Sequence, residues 1–384
     1  MTDLFSSLLL GGAVALKNRI VMAPMTRTRT SPGDVPNALM ATYYGQRASA
    51  GLIISEAIDV APSSKGYACT PGIYTEAQRK GWRLVTEEVH RQGGTIFAQL
   101  WHVGRMAHPS MMPNGEAPWG VTEQRAENSD VFAHDANGVL GYMRAGAPRK
   151  LATQEVSDLV GTFAHAFADL RAAGFDGVEL HAANGYLFEQ FMNPVLNTRT
   201  DRYGGGSLHD RTRFLMEVVD AGVRQFGPGR VGVRLSPFGL FNSMPADPGV
   251  EGTLLYLAKE LGRRGAAYMH LIYELMPTGN METAVFQARH LDHALLAKVR
   301  ASFPGTLIWA GGFNSRDGAE AALKTGLVDL IAFGRPFIGN PDLPERLKKG
   351  WPLTEADRST YYTRRGEVGF TDFARYAGAQ AGAR

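Results

Sequence analysis

Residues Glu155–Tyr186 read EVSDLVGTFAHAFADLRAAGFDGVELHAANGY and combine a helical pattern with a buried strand. In the first part, apolar side chains recur three or four residues apart, which predicts an amphipathic helix over Glu155–Ala173 that Thr153 caps and Gly174 ends. In the second part, the nearly continuous apolar run Gly177–Leu180 predicts a strand covered on both faces. This alternation of helix and buried strand favours the parallel α/β class.

Short apolar runs of this kind occur along the whole chain, at Arg19–Met22, Leu52–Ile54, Thr95–Ala98, Gly177–Leu180, Val231–Arg234, Tyr268–Leu271, Thr306–Trp309 and Asp329–Ala332. A second amphipathic helix starts at Ser207, whose hydroxyl forms with Asp210 a pattern that resembles a capping box. Eight strands close a barrel, whereas an open doubly wound sheet usually has fewer, so the number of runs predicts a (β/α)8 TIM barrel.

The 384 residues are predicted to form a single domain, 1–384, because barrels with insertions often reach this length and no Ser/Gly linker divides the chain. Its longest interruption, at about 102–150, follows the third predicted strand and is rich in Gly, Pro, Asn and Asp. Long loops of this kind are usually functional, so this segment is predicted to be an excursion that covers the active-site mouth, with room for a hairpin of its own.

Composition excludes several classes of protein. The chain is 44% hydrophobic and 20% charged, and none of its apolar runs approaches the roughly 18 residues of a membrane span, so no membrane association is expected. Leu8–Leu10 follows the acidic Asp3, which makes a poor signal peptide, and we expect a cytoplasmic protein. Cys69 is the only cysteine, which excludes an intramolecular disulfide and a cysteine cluster, and no metal site is expected. A net charge of +3 gives no support for a nucleic-acid partner but is compatible with anionic nucleotides.

Polar and glycine residues follow the predicted strands, at the end of a barrel where active sites form. Gly311, Gly312 and Phe313 follow the seventh strand, and Gly334 and Arg335 follow the eighth. Glycines let backbone amides approach a phosphate, and an arginine adds a charged bidentate donor. These residues predict a phosphate site between the last two strands, for either FMN or another phosphorylated metabolite.

The fourth predicted strand is followed by the pattern His-x-x-Asn-x-Tyr, formed by His181, Asn184 and Tyr186. The first two side chains can hydrogen-bond an uncharged oxygen of a substrate. A phenol, with a pKa near ~10, is protonated at neutral pH and can give its proton to a carbon that has become basic. The pattern therefore predicts a catalytic group in the barrel mouth.

Taken together, these motifs resemble those of the Old Yellow Enzyme family, over about Leu4–Phe373. The segments that carry the resemblance are Lys17–Arg27, Gln99–Arg105, His181–Leu187, Asn197–Gly205 and Phe333–Pro336. The resemblance implies an FMN-dependent ene-reductase that takes hydride from NADPH or NADH. Its implied substrates are small electrophilic alkenes, namely α,β-unsaturated carbonyl, maleimide and nitro compounds, reduced by a ping-pong mechanism.

The resemblance also implies roles for individual residues. Gln99 and the backbone near Ala57 would hold the pyrimidine of the flavin, Thr26 its C4 oxygen, and Arg234 the edge that gathers negative charge on reduction. A threonine at position 26 is typical of one subgroup, and another carries cysteine there. The full implied cofactor-binding set is Ala23, Pro24, Met25, Thr26, Ala57, Gln99, His181, Arg234, Gly311, Gly312, Phe313, Gly334 and Arg335.

For the substrate, the resemblance implies that His181 and Asn184 hold its carbonyl or nitro oxygen while Tyr186 protonates the α-carbon. Tyr67, Trp101 and Tyr362 are similar to aromatic residues that line this pocket in relatives. Some relatives have a second histidine at the position of Asn184, which bears on substrate preference. In Gly369–Phe373, phenylalanines stand where relatives often have tyrosines.

Two other functions are compatible with part of the sequence. A flavin-free barrel that acts on a sugar phosphate as an isomerase or aldolase would use the same phosphate site, but no lysine directly follows the predicted strands to form a Schiff base. A non-catalytic flavin-binding protein would have no use for a proton donor at Tyr186. Both a monomer and a homodimer are compatible with the sequence.

Overall fold

The structure is a computed structural model that describes residues 3–272, 290–362 and 366–378. Its centre is a closed barrel of eight parallel strands, β1 to β8: Ile20–Met22, Leu52–Asp59, Ile96–Trp101, Gly177–Ala182, Val231–Leu235, Tyr268–Ile272, Thr306–Ala310 and Leu330–Phe333. Each strand pairs in parallel with the next one in the chain, and β8 pairs with β1 to close the ring. All eight predicted strands and the (β/α)8 fold are confirmed.

Ten helices accompany the barrel in the described part of the chain. In chain order α1 to α10 are Ala38–Gln46, Glu76–Arg91, Thr153–Ala172, Leu187–Met192, Leu208–Phe226, Val250–Arg263, His293–Ser302, Arg316–Lys324, Arg335–Gly339 and Leu343–Lys349. Short 3-10 turns lie at Pro62–Ser64, Pro109–Met111, Pro113–Gly115, Phe241–Ser243 and Arg358–Thr360. Among the described residues, none of the helices combines the length and the apolar character needed to cross a membrane.

The two predicted helix starts have different outcomes. Helix α5 begins as predicted, since the Ser207 hydroxyl accepts a hydrogen bond from the Asp210 amide at 3.0 Å. The prediction that Thr153 caps α3 is wrong. Ala152 holds the extended cap position, and its amide donates to Glu155 Oε2 at 2.7 Å, so Thr153 is already the first helical residue. Helix α3 ends before Gly174, as predicted, and this glycine has a φ of +91°.

One end of the barrel is closed by the N-terminal hairpin, in which Leu8–Leu10 and Val14–Leu16 pair antiparallel. Leu10 and Leu16 are buried in one apolar cluster with Leu52 and Leu330, which are the first residues of β2 and β8. The hairpin thus seals the end where the strands begin. The opposite end, where the strands finish, is left to form the mouth.

The predicted excursion at about 102–150 has the hairpin anticipated for it, with strands Asp130–His134 and Leu140–Arg144, and a small parallel pair formed by Trp119–Gly120 and Arg149–Lys150. Val131 of the hairpin is buried in one apolar cluster with Trp101 and Tyr186 at the strand ends. The amide of Ala68 also donates to the carbonyl of Phe132 at 2.8 Å. The excursion therefore packs over the barrel mouth.

The C-terminal segment returns to the outside of the mouth. The ring of Phe370 is fully buried and stacks on Tyr43 with centroids 4.0 Å apart, while Arg27 Nη2 donates to the carbonyl of Gly369 at 2.7 Å. Two arginines, Arg27 and Arg29, lie over the same ring at 5.2 and 5.0 Å. A phenylalanine suits position 370 because its buried ring stacks on Tyr43 and lies under two guanidinium groups.

Candidate active site at the barrel mouth

The first half of the mouth is built on β4 and the turn that follows it. His181 lies beside Arg234 in the register of β4 and β5. Asn184 adopts a φ of +59°, and the turn is fixed because its amide donates to Ser236 Oγ at 2.8 Å and its carbonyl accepts from Asn242 Nδ2 at 2.8 Å. Tyr186 holds the cap position just before α4. The spacing His-x-x-Asn-x-Tyr therefore brings the rings of His181 and Tyr186 together, with centroids 5.0 Å apart, and places Asn184 in the turn between them.

Aromatic rings surround these residues. The Trp101 ring lies nearly parallel to those of Tyr67 and His181, with centroids 5.9 and 6.2 Å away, and meets Tyr186 edge-on at 4.9 Å. The hydroxyls of Tyr186 and Tyr67 are 3.4 Å apart. Tyr362 is 41% exposed, yet its phenol is near enough to contribute to the raised pKa values of Tyr67 and Tyr186, so it lies at the outer edge. The predicted substrate residues thus gather around the predicted catalytic ones.

The titratable side chains of this half are held in their neutral forms. Burial, helped by the nearby Arg234, lowers the pKa of His181 well below its usual value, so the imidazole is uncharged at neutral pH. Burial also raises the pKa of Tyr186 well above its usual value and that of Tyr67 to about 12, so both phenols keep their protons. The site offers neutral donors, which suit an uncharged electrophile.

Three of the predicted site residues also carry a buried polar atom that has no hydrogen-bond partner within the described part of the chain. These atoms are His181 Nδ1, Asn184 Oδ1 and Arg234 Nε. Leaving such a group unpaired costs about 1–3 kcal/mol, and clusters of them are typical of sites that bind a polar ligand. A flavin ring with its line of carbonyl and ring-nitrogen atoms fits this set of donors and acceptors.

A buried polar network inside the barrel was missed at the sequence level. Glu179 of β4 accepts hydrogen bonds from Gln99 Nε2 at 2.7 Å and lies 2.8 Å from His270 Nδ1, and none of the three is more than 2% exposed. The charge of Glu179 also favours the protonated form of Arg234 against the effect of burial, which lowers its pKa. A signal was present, since Glu179 is a charged residue within an apolar strand, two positions before His181 and so on the same face.

The second half of the mouth is formed by the ends of β7, β8 and β1, which are neighbours in the barrel. Ala23 is tied to β8 by its amide, which donates to the carbonyl of Phe333 at 2.9 Å, and Pro24, Met25 and Thr26 follow. Gly311 and Gly312 have φ values of +111° and +74°. Gly334 precedes α9, and the first residue of this helix is the partly buried Arg335. Phe313 packs between Trp309 and Phe333.

Comparison with known proteins agrees with this geometry. The model of the NADH:flavin oxidoreductase / NADH oxidase family matches residues 3–354. The chain belongs to this family. The resemblance to the Old Yellow Enzyme group of flavin oxidoreductases is thereby confirmed, as are an oxidoreductase activity that depends on NAD(P)H and the use of FMN.

Relatives of this flavin oxidoreductase span nearly its whole length. It is 42% identical to 12-oxophytodienoate reductase 1 of Oryza sativa subsp. japonica, over 94% of this chain and 90% of that protein. Among solved structures, morphinone reductase in complex with tetrahydroNAD is 44% identical with a TM-score of 0.91, covering 98% of this chain and 99% of the other. The Old Yellow Enzyme homologue from Zymomonas mobilis is 36% identical with a TM-score of 0.88, covering 97% and 100% of the two chains.

Proposed function

We propose that this flavin oxidoreductase is an ene-reductase that reduces carbon–carbon double bonds conjugated to a carbonyl, imide or nitro group. The observation that carries the proposal is the buried phenol of Tyr186, which packs against the rings of His181 and Trp101. Asn184, in the turn between His181 and Tyr186, carries a buried side-chain oxygen without a partner among the described residues. The names of the relatives, reductases of 12-oxophytodienoate and of morphinone, support a ketone-bearing substrate.

The two halves of the mouth would hold the two ends of FMN. Backbone amides near Gly311, Gly312 and Gly334, with the guanidinium of Arg335, would bind its phosphate, since the glycines leave room for close approach and Phe313 flanks them. The ring system would contact, in chain order, Ala23, Pro24, Met25, Thr26, Ala57, Gln99, His181 and Arg234. When bound, FMN accepts hydride from NADPH or NADH and delivers it to the β-carbon of the alkene.

His181 and Asn184 act on the oxygen of the substrate. Both side chains donate hydrogen bonds to that oxygen, where negative charge develops as the double bond is reduced. Preorganised donors of this kind contribute about 3 kcal/mol each, because they lie in place before the charge appears. The neutral imidazole favoured by burial avoids placing a full positive charge beside Arg234.

Tyr186 supplies the proton that completes the reduction at the α-carbon. Its raised pKa keeps the hydroxyl protonated, and a weak acid gives up its proton only to a carbon that has become strongly basic. Tyr67, whose hydroxyl is 3.4 Å away, and Trp101 keep the phenol in place. Together with Tyr362 at the outer edge, these rings form the walls for a flat, small substrate.

The alternatives of a flavin-free isomerase or aldolase and of a non-catalytic flavin-binding protein are both contradicted by membership of the oxidoreductase family. The proposal is tested with the FMN-loaded protein by measuring anaerobic flavin bleaching with NADH and NADPH. Turnover is then measured with 2-cyclohexenone, N-ethylmaleimide and a nitroalkene. We expect bleaching by a nucleotide, reoxidation by the alkenes, and parallel lines in double-reciprocal plots. Bleaching without reoxidation by any of these alkenes would contradict an ene-reductase while leaving the flavin oxidoreductase intact.

A further inference from the structure

A buried carboxylate, Asp59, lies behind the aromatic lining of the mouth. It is the last residue of β2, is fully buried, and pairs with Trp101 in the register of β2 and β3. Its Oδ1 accepts a hydrogen bond from Trp101 Nε1 at 2.7 Å, and its Oδ2 accepts one from Thr70 Oγ1 at 2.7 Å. Both oxygens of the carboxylate are therefore occupied, one by the indole and one by the loop that follows β2.

The backbone of Asp59 is held as firmly as its side chain. Its amide donates to the carbonyl of Pro71 at 2.8 Å, and its carbonyl accepts from the amide of Ile73 at 3.1 Å. Because the backbone and both carboxylate oxygens of Asp59 are hydrogen-bonded, the acceptor of the Trp101 Nε1 hydrogen bond is tied to the barrel. A buried hydrogen bond to a charged acceptor is among the stronger side-chain interactions in proteins.

Trp101 is the centre of the aromatic lining. One indole contacts Tyr67, His181 and Tyr186, with ring centroids between 4.9 and 6.2 Å away. Rotation of this indole would move the wall against which the proton donor and an oxygen-binding side chain pack. The side chain of Asp59 is hydrogen-bonded to Trp101 and Thr70 and not to these three rings, so its influence on them passes through Trp101.

We propose that Asp59 is a positioning residue that determines specificity, because it fixes the Trp101 indole and so sets the space available beside the reacting double bond. The inference rests on the proposed ene-reductase function and deepens it, by naming the side chain that shapes its substrate range. Asp59 is not a catalytic residue, since the hydrogen bonds place it behind the indole rather than in the mouth.

The charge of Asp59 also changes near neutral pH. Burial raises the pKa of Asp59 to about 7. The positive charge of Lys65 and the hydrogen bonds from Thr70 and Trp101 lower this pKa, while the charge of Asp34, which is paired with Lys65, raises it. Tyr74 faces the same carboxylate, which helps to raise the pKa of that phenol to about 12. Because the ionised form is the stronger acceptor, the indole is held most firmly above neutral pH and less firmly below it.

The test compares kcat/KM for 2-cyclohexenone with that for its bulkier 3-methyl derivative, in FMN-loaded protein. For Asp59→Ala we expect the ratio of the two values to change by about tenfold, on the scale that a single contact contributes to discrimination. Flavin reduction by the nucleotide should stay within about twofold, because Asp59 lies behind the indole rather than in the mouth, and this rate serves as the control for normal FMN binding. An unchanged ratio in folded, FMN-loaded Asp59→Ala protein overturns the inference and leaves the proposed function standing.

Two further variants separate positioning from a general structural role. In a Trp101→Phe background the indole N–H is gone, so adding Asp59→Ala should leave the ratio within about twofold. The matched control is Thr70→Val, which removes the hydroxyl that bonds Asp59 Oδ2 and the carbonyl of Tyr67 but leaves the bond between Asp59 and Trp101. If Thr70→Val shifts the ratio as much as Asp59→Ala does, Asp59 supports the fold rather than the position of Trp101. The same follows if Asp59→Ala shifts the ratio as much in the Trp101→Phe background as in the wild type.

The pH profile gives an independent readout. The wild-type ratio should change through about pH 7, whereas Asp59→Asn should show a flat profile, because an amide does not ionise in this range. A profile that keeps the same inflection in Asp59→Asn shows that another group ionises and overturns the pH dependence proposed for Asp59. Glu189 is one such group, since burial raises its pKa to about 7 and it bonds the turn at Gly185.

Discussion

The two halves of the barrel mouth are built in different ways. At the ends of β3 and β4 the important groups are large buried side chains, such as Trp101, His181 and Tyr186, whose rings contact one another. At the ends of β7 and β8 the important positions are glycines, and Gly312 lies at the surface. One half is a set of packed functional groups, and the other is an accessible stretch of backbone.

This difference indicates a division of labour. A group that moves a proton must be held in one place and one protonation state, which burial and ring packing provide. A phosphate, in contrast, is well bound by backbone amides that need only space in front of them. Changes in the first half should therefore affect alkene reduction and the binding of substrate-like ligands, and changes in the second half should affect FMN affinity.

The largest effect is expected from Tyr186→Phe, which removes the proposed proton donor. General acids contribute about 10²–10⁴-fold, so we expect reoxidation of the reduced flavin by 2-cyclohexenone to slow by about 10³-fold. Flavin reduction by NADH or NADPH needs no proton from this phenol and should stay nearly unchanged. Stopped-flow absorbance of the flavin measures the two half-reactions separately.

The matched control is Tyr256→Phe, which removes a phenol hydroxyl from helix α6 on the outside of the barrel. It should leave both half-reactions as they are in the wild type. Equal slowing of both half-reactions by Tyr186→Phe would contradict the assigned role and point to a distorted mouth.

In the double substitution His181→Ala and Asn184→Ala, a smaller effect is expected on the binding of unreactive substrate mimics, which tests the two donors separately from the chemical step. Phenols mimic the substrate oxygen, and the loss of two donors to it should raise their Kd by about a hundredfold. The measurement is a titration of the long-wavelength charge-transfer band of the FMN-loaded protein. An unchanged band in the double variant would show that the oxygen is held elsewhere in the mouth.

The fold and the β4 motif were predictable because local sequence determines them. Eight apolar runs of strand length specify eight buried strands, and His-x-x-Asn-x-Tyr follows one of them directly, so no long-range contact has to be inferred. The cap of α3 was predicted wrongly because threonine is a preferred cap residue and alanine is not, whereas the helix starts one residue earlier and Glu155 bonds the Ala152 amide.

The partners inside the site could not be predicted in the same way. Asp59 and Trp101 are distant in sequence and meet only because β2 and β3 are neighbours with a bulge between Ile54 and Ala57 that shifts their register. Contacts that depend on register carry no local signature, because a shift of one residue reverses the face of every side chain. The same applies to Glu179 and His270, which meet across the barrel interior.

In the second half of the mouth, Arg335→Gln should weaken FMN binding and leave chemistry intact. Loss of a charged donor to a phosphate costs about 1.5–3 kcal/mol, which raises the Kd of FMN by roughly ten- to a hundredfold. Fluorescence titration of the FMN-free protein measures this Kd, and stopped-flow at saturating FMN should give a rate of alkene reduction close to that of the wild type. A slow rate at saturating FMN with an unchanged Kd would contradict the division between the two halves.

The smallest effect is expected from a pair of glycine substitutions, Gly312→Ala and Gly326→Ala. Their φ values, +74° and +70°, are nearly equal, so the strain of an added Cβ should lower the free energy of unfolding of the FMN-free protein by about 1 kcal/mol in both. Gly326 follows α8 and has open space around the added atom. Gly312, in contrast, is one of the glycines whose backbone amides are proposed to bind the phosphate. Only Gly312→Ala should therefore raise the Kd of FMN, by about fivefold, which corresponds to a loss of ~1 kcal/mol in the free energy of FMN binding. Equal Kd values for the two variants, with equal losses of stability, would place the phosphate away from the end of β7.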